Sequence, residues 1–245
     1  MLRVWRVMMI AVAGVLPAQL STGARSGDVS AHDFKTFVID PTRHQLSLHW
    51  KNSQGLPFCT LKTVKMALDD KGQKVLAVMN AGIYDKKYRP LGLHVEGGQV
   101  LRPVDRRHGA GNFYLHPNGI FFVGSSGAAI VRTADFKLTD DITLATQSGP
   151  LLFDQTGLHP AFVKKSKHKH FRNAIGVRKD GHIVFAMSIK PVTFWQLAHF
   201  LREESKCEAG LYLDGFISQL WQQGQKGPRG GYPFVGILAV TERKK

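Results

Sequence analysis

The chain has 245 residues, 43% of them hydrophobic, enough for one sizeable core or at most two small domains. Its 33 Lys and Arg against 18 Asp and Glu give a net charge of +15, a surface that draws polyanions. No Pro/Ser-rich linker and no internal repeat divides it, and two cysteines allow at most one intramolecular disulfide.

Arg3 and Arg6 precede an apolar run from Val7 to Leu16 and then Pro17-Ala18, the pattern of a signal peptide. The run is too short to span a bilayer. Residues 1–24 are therefore expected to direct export to the periplasm or the extracellular space. Cleavage near Ala18 or Ala24 and retention as an anchor both stay open. Residues 25–245 are expected to form one domain, and the charge without Arg3 and Arg6 is +13. An exported basic protein meets envelope glycopolymers rather than DNA, so an anionic glycan or a peripheral envelope contact is expected and a nucleic-acid partner is not. Cys59 and Cys207, the only cysteines of an exported chain, are expected to pair.

In chain order, Phe34 to Ile39 and Gln45 to Trp50 read as strands around the turn Asp40-Pro41-Thr42-Arg43. Leu61, Val64 and Leu68 share one helical face, which predicts a helix from Thr60 to Leu68. Val75 to Met79 is a strand that runs into Asn80-Ala81-Gly82. Three hairpins are predicted: around Gly97-Gly98, around His116-Pro117-Asn118-Gly119, and around Lys179-Asp180-Gly181. The middle one joins Phe113–Leu115 to Ile120–Val123. Thr193 with Gln196 forms a capping box for a helix from Phe194 to Glu204, with Val192 stapled to Leu197. Leu211-Tyr212-Leu213 is a short core strand that ends at Asp214-Gly215, and Phe234 to Val240 is a last strand. So many short strands exclude a doubly wound sheet. The expected fold is α+β, with mixed, mostly antiparallel sheets and a few packed helices in a single domain.

Asp214 places a lone carboxylate at a strand exit, with Ser218 four residues on. A plain turn cap would use the same residue. Asn80-Ala81-Gly82, Gly111-Asn112-Phe113, Gln147-Ser148-Gly149-Pro150 and Arg172-Asn173-Ala174 are built alike, polar and either Gly-flanked or set at strand boundaries. Amides, hydroxyls and one Arg, with few carboxylates, suit a sugar and an anion. The loop from Lys164 to Arg172 carries no acid and suits phosphate or a membrane surface. His168 and His170 lack the acidic or Cys neighbours that a metal site needs.

The order of Asn80-Ala81-Gly82-Ile83-Tyr84, Pro117-Asn118-Gly119, Gln147-Ser148-Gly149-Pro150, Arg172-Asn173 and Leu213-Asp214-Gly215 resembles the phosphodiester glycosidase domain family, in its exported bacterial branch. The resemblance runs from about Phe34 to Val240. It implies a hydrolase that cleaves a sugar from a sugar-1-phosphodiester. On that basis Asp214 is the expected nucleophile or base and Arg172 the phosphate clamp. Asn80, Asn112, Gln147 and Asn173 are expected to bind sugar hydroxyls or phosphate oxygens, with Ser148 and Ser218 as further hydrogen-bond partners. Gly82, Gly149 and Gly215 allow close backbone approach. Asp85 and Glu96 are reserve carboxylates. The resemblance implies no particular cofactor, and a divalent cation at Asp214 stays open. The rival classes are an exported binding protein for anionic glycopolymers and a lectin-like protein with Trp195, Trp221 and Tyr232 as its aromatic platform.

Overall fold

A computed structural model describes residues 30–215, 217–228, 231 and 233–244. The expected leader over residues 1–24 and Tyr232 lie outside these. No helix among the described residues is long and apolar enough to cross a membrane.

The first strand, β1 (Phe34–Ile39), and β2 (His44–His49) flank the expected turn, where Thr42 N donates to Asp40 Oδ1 at 2.8 Å. They enter different sheets. Helix α1 (Leu61–Asp69) begins at Thr60, whose side chain accepts from Thr63 N. Such a cap is worth about 1 kcal/mol. It leads to β3 (Val75–Asn80) and to the hairpin of β4 (His94–Glu96) and β5 (Gln99–Arg102). Next come β6 (Gly119–Gly124), β7 (Gly127–Arg132), β8 (Leu144–Ser148), β9 (Leu151–Asp154) and β10 (Gly157–Leu158). Then β11 (Asn173–Arg178) and β12 (Ile183–Ser188) form the expected Lys179-Asp180-Gly181 hairpin. Helix α2 (Phe194–His199) starts at the Thr193–Gln196 capping box and runs into a π-helical turn, Phe200–Glu204. The chain ends through β13 (Cys207–Tyr212), β14 (Leu220–Gln222) and β15 (Ile237–Glu242).

One expectation is corrected. Asn112–Tyr114 is a 3-10 turn, not a strand, and β6 pairs with β7 instead. Asn118 Nδ2 donates to Phe113 O at 2.8 Å, so the Asn118 side chain folds the segment back on itself.

The strands build three antiparallel sheets. Their orders are β1-β12-β11-β13-β9-β10, β14-β3-β15-β2 and β5-β4-β8-β6-β7. Period-2 alternation sorts their side chains. From the six-stranded sheet, Ile175, Val177, Ile183, Phe185 and Leu211 enter a central cluster, with Leu213 just past β13. Met79, Leu238 and Val240 join it from the four-stranded sheet, and Phe121, Ile130 and Leu144 from the five-stranded one. The alternate positions Ala174, Val184, Ala186 and Tyr212 face outward, where Leu197 and Leu201 cover them. Leu61, Val64 and Leu68 of α1 likewise cover Val78, Ile237 and Ala239. Strands buried on both faces read as continuous apolar runs, whereas the edge strand β1 alternates in exposure.

Candidate functional site

Asp214 leaves the end of β13 two residues after Tyr212, so the two share the outward side of the strand. Asn173, at the start of β11, faces the core side and fixes the turn. Its Oδ1 accepts from Asp214 N at 2.9 Å, and its backbone N donates to Asp214 O at 3.1 Å. Asn173 Nδ2 donates to Asn80 O at 2.8 Å and to Asn80 Oδ1 at 3.1 Å. Gln219 N also donates to Asn80 Oδ1, at 2.8 Å. Both Asn side chains are buried, and Asn80 Nδ2 has no protein partner among the described residues. Ser148 Oγ donates to Leu213 O at 2.8 Å, and Ser218 Oγ to Gly215 O at 2.7 Å. Three ends of distant strands thus converge on one turn. The Asp214 carboxyl is pushed up to about 6 by burial, partly offset by Gly215 N donating to Oδ1 at 2.6 Å.

On the outward side lie Arg172, Tyr212 and Asn112. Arg172 is only 3% exposed and stacks on Phe194, its guanidinium carbon 3.6 Å from the ring centroid. Arg172 Nε donates to Val192 O at 2.9 Å and Nη2 to His168 O at 3.3 Å. Burial holds its pKa below the ordinary value. Arg172 is therefore not a free phosphate clamp, because Nε and Nη2 already serve backbone carbonyls. Arg172 also lies over Tyr212, its guanidinium carbon 5.6 Å from the ring centroid, and Arg172 and Asn112 partly offset the burial that pushes the Tyr212 phenol up. A Cβ at Gly215 would overlap Tyr212 Oη, so the glycine admits the phenol to the Asp214 turn. A cleft of about 330 Å³ opens beyond, lined by Asn112, Ser166, His168, His170, Arg172 and Trp195 among others.

Several expected residues sit elsewhere. Gln147 precedes Ser148 on β8 and therefore points the other way. Its Oε1 accepts from Leu93 N and Asp105 N, and its Nε2 donates to Asp105 O, so the amide is a structural hub rather than a sugar ligand. Gly149 and Gly82 do allow close approach, but of protein: a Cβ there would meet Phe113 O at 2.6 Å and Gln147 O at 2.7 Å. Asp85 is paired with Arg89 at 2.7 Å, and Glu96 is bonded to His94 at 2.7 Å. Trp221 is 7% exposed and donates to Lys226 O, so it is no platform.

The expected disulfide is also corrected: both cysteines are free. Cys207 packs in the apolar layer under α2, against Gly176, and burial pushes its thiol up to about 12. Cys59 pairs instead with Phe234, beside the start of α1. No group of three or more His, Cys, Asp or Glu able to hold a metal ion occurs among the described residues.

A profile of the phosphodiester glycosidase family matches residues 73–231. The chain belongs to this family. It is 34% identical over 210 residues to the Escherichia coli (strain K12) uncharacterized protein YigE, covering 86% of this chain and 82% of that one. It resembles the catalytic domain of zebrafish N-acetylglucosamine-1-phosphodiester alpha-N-acetylglucosaminidase, auto-inhibited by its pro-peptide, with a TM-score of 0.58. That match is 14% identical and covers 89% of this chain and 86% of the other. A putative exported protein from Burkholderia pseudomallei K96243 matches at a TM-score of 0.57, with 12% identity and 85% and 73% coverage. These two likenesses show the fold.

The matched span of the phosphodiester glycosidase profile contains Asp214 and the residues that hold it. It also contains two tyrosines that pattern reading passed over. Tyr212 reads as a core aromatic, and only its spacing of two from Asp214 marks it. Tyr84 follows the Asn80 turn, and its Oη donates to Pro233 O at 2.7 Å. Burial first, and then the nearby Asp214 charge, push its phenol up to about 12.

Proposed function

We propose that this phosphodiester glycosidase family member is an exported hydrolase that releases a sugar from a sugar-1-phosphodiester or a related envelope glycoconjugate. The carrying observation is that Asn80 and Asn173 hold the backbone of the turn that carries Asp214, beside Tyr212, while its desolvated carboxylate has no cationic partner among the described residues. Perturbed carboxylates in such settings mark reaction centres. A pKa of about 6 suits a base working near neutrality.

The chemistry follows from the leaving group. Water attacks the anomeric carbon while Asp214 takes its proton. The C1–O bond breaks, and the phosphomonoester leaves with the electron pair. That anion is weakly basic, so the second carboxylate that ordinary glycosidases use to protonate the leaving oxygen is dispensable. A lone carboxylate favours this single displacement over a covalent intermediate, so the released sugar is expected to have inverted configuration. Arg172 acts here by orienting Tyr212, and the cleft at Asn112, Ser166 and His168 faces the phosphate side.

Several wider expectations belong with this reading. A leader over residues 1–24 supplies export, and the name of the Burkholderia neighbour supports it. Residues 25–245 act as one domain, supported by the single apolar cluster that draws on all three sheets. The basic loop at 164–172 draws an anionic glycan.

The test is to incubate mature protein with a panel of sugar-1-phosphodiesters and follow released sugar and its anomer by NMR. Hydrolysis is expected to rise with pH through about 6, as Asp214 becomes charged. A parent that binds anionic glycans in a salt-dependent way without turnover would establish the binding-protein alternative instead.

A further inference from the structure

The loop between Tyr84 and Pro90 has an unusual build. It closes like a small hairpin: Tyr84 bridges Pro90, Leu91 N donates to Ile83 O at 3.1 Å, and Asp85 N donates to Arg89 O at 2.9 Å. The Asp85 carboxylate then ties the interior. Oδ1 accepts from Lys87 N at 2.8 Å and Arg89 N at 3.1 Å, and Oδ2 takes Arg89 Nε at 2.9 Å. Within this frame Tyr88 is held at φ +54°, a left-handed backbone that is unfavourable for a bulky residue. Nothing about folding asks for a tyrosine there; glycine or asparagine would turn the chain without that cost.

The strained position delivers an exposed ring. Tyr88 is 47% exposed, and its ring stacks on Tyr84 at 5.8 Å between centroids, tilted by 21°. Tyr84 is in turn pinned by its bond to Pro233 O. It follows by four residues the Asn80 whose side chain and carbonyl hold Asn173 under Asp214. Asp214 and Tyr88 both act electrostatically on the Tyr84 phenol, so Tyr84 lies near both.

An aromatic face carries negative quadrupole density, so it repels phosphate and accepts the polarised C–H face of a pyranose. The cleft beside Tyr212 has the reverse character, lined by Asn112, His168, His170 and the Arg172 cation. We propose that Tyr88, backed by Tyr84, is the stacking platform for the sugar, and that the substrate lies with its glycone on this flank and its phosphate on the Arg172 flank. This deepens the reading of the Asp214 site given above and rests on it. It also makes Tyr88 a residue that sets which sugars are accepted.

The experiment uses the mature full-length protein, a set of methyl phosphodiesters that differ only in the sugar, and the variants Tyr88→Ala, Tyr88→Gly, Tyr88→Phe and Asp214→Asn. Loss of one stacked ring is expected to raise KM about tenfold in Tyr88→Ala, with kcat within about threefold of the parent, and to flatten the preference among sugars. Tyr88→Phe keeps the ring and should match the parent. Tyr88→Gly removes both ring and backbone strain, so a KM like that of Tyr88→Ala assigns the loss to the ring, whereas a KM like the parent's overturns the platform. A parent-like KM and sugar preference in Tyr88→Ala, with Asp214→Asn inactive, overturns the platform and leaves the hydrolase reading standing. If the parent hydrolyses none of the diesters, that reading falls, and equilibrium binding of the same set decides the platform: affinity that depends on the sugar and is lost in Tyr88→Ala sustains it, and any other pattern overturns it.

Discussion

At Asp105 a buried amide grips the aspartate backbone from both sides: Gln147 Oε1 accepts from Asp105 N at 2.9 Å, and Gln147 Nε2 donates to Asp105 O at 2.6 Å. At Asp214 the same grip comes from Asn173, through its Oδ1 at 2.9 Å and its backbone N at 3.1 Å. The carboxylates then part company. Asp105 receives Arg107 Nη2 at 2.7 Å, Arg107 Nε at 3.0 Å and Tyr114 Oη at 3.1 Å, and the Arg107 bonds hold its carboxyl below the ordinary value. Asp214 receives Gly215 N alone among the described residues, and burial lifts it to about 6. A fold that needed only to anchor a turn would treat both alike. The uncompensated charge at Asp214 costs stability, and its retention points to chemistry.

Removing each charge separates the two most sharply. Asp214→Asn keeps shape and the Gly215 contact, yet hydrolysis of a competent diester should fall by about three orders of magnitude or more. Asp105→Asn should leave kcat within a few-fold while lowering Tm, since the Arg107 bonds lose their charged acceptor. A kcat loss in Asp105→Asn that rivals Asp214→Asn would erase the distinction.

The clamp at Asp105 can be broken by itself. Gln147→Ala leaves Leu93 N, Asp105 N and Asp105 O buried without their partner. At roughly 1–3 kcal/mol for each stranded group, the loss should be on the order of 4 kcal/mol in urea unfolding. Activity per folded molecule should persist. Activity that collapses at unchanged stability would return Gln147 to the substrate site.

Much of this contrast was legible in the residues, and the rest was hidden for physical reasons. Short apolar runs located β1, β11 and β12, and the Thr193–Gln196 box located α2. Asp214 stood out because Asp-Gly ends an apolar strand. Gln147 misled because composition ignores strand alternation: Ser148 faces Leu213, so its neighbour must face away. Arg172 obeys the same rule against Asn173, and its burial on Phe194 depends on a helix that is distant in sequence. The hairpin at Pro117 failed because Asn118 serves Phe113 O, while the true turn lies between Gly124 and Gly127. The cysteine pairing rested on compartment alone, which says whether a bridge is permitted and nothing of where each thiol packs.

Stability against pH sharpens the comparison further. The folded pKa of Asp214 lies above its unfolded value, so folding favours the protonated form. Its charged form is a burden, absent below about 4 and fully present above about 6. Asp214→Asn should therefore stabilise the protein by about 2 kcal/mol at pH 8 and by nothing measurable at pH 4. Asp105 has a lowered folded pKa, so its contribution is present at neutral pH and is lost as pH falls through that value. In paired thermal melts at the two pH values, Asp214→Asn should stabilise at pH 8 alone, whereas Asp105→Asn should destabilise at both, because pH 4 still lies above the lowered folded pKa of Asp105. Equal shifts of Asp214→Asn at both would show that its carboxylate is not desolvated.

The smallest effect belongs to Arg172, which reaches Asp214 only through Tyr212. Arg172→Lys keeps a cation but loses the planar face on Phe194 and the directed Nε bond to Val192 O. A lysine could still reach one carbonyl or the Tyr212 phenol, so the phenol loses alignment rather than its place. A kcat decrease of about tenfold is expected, with KM for the diester little changed, because Nε and Nη2 are already committed to backbone carbonyls. The double variant Arg172→Lys with Tyr212→Phe should then be no worse than Tyr212→Phe alone, since the first change acts through the phenol that the second removes. A tenfold rise in KM, or additive losses in the double variant, would instead restore Arg172 as a direct phosphate ligand.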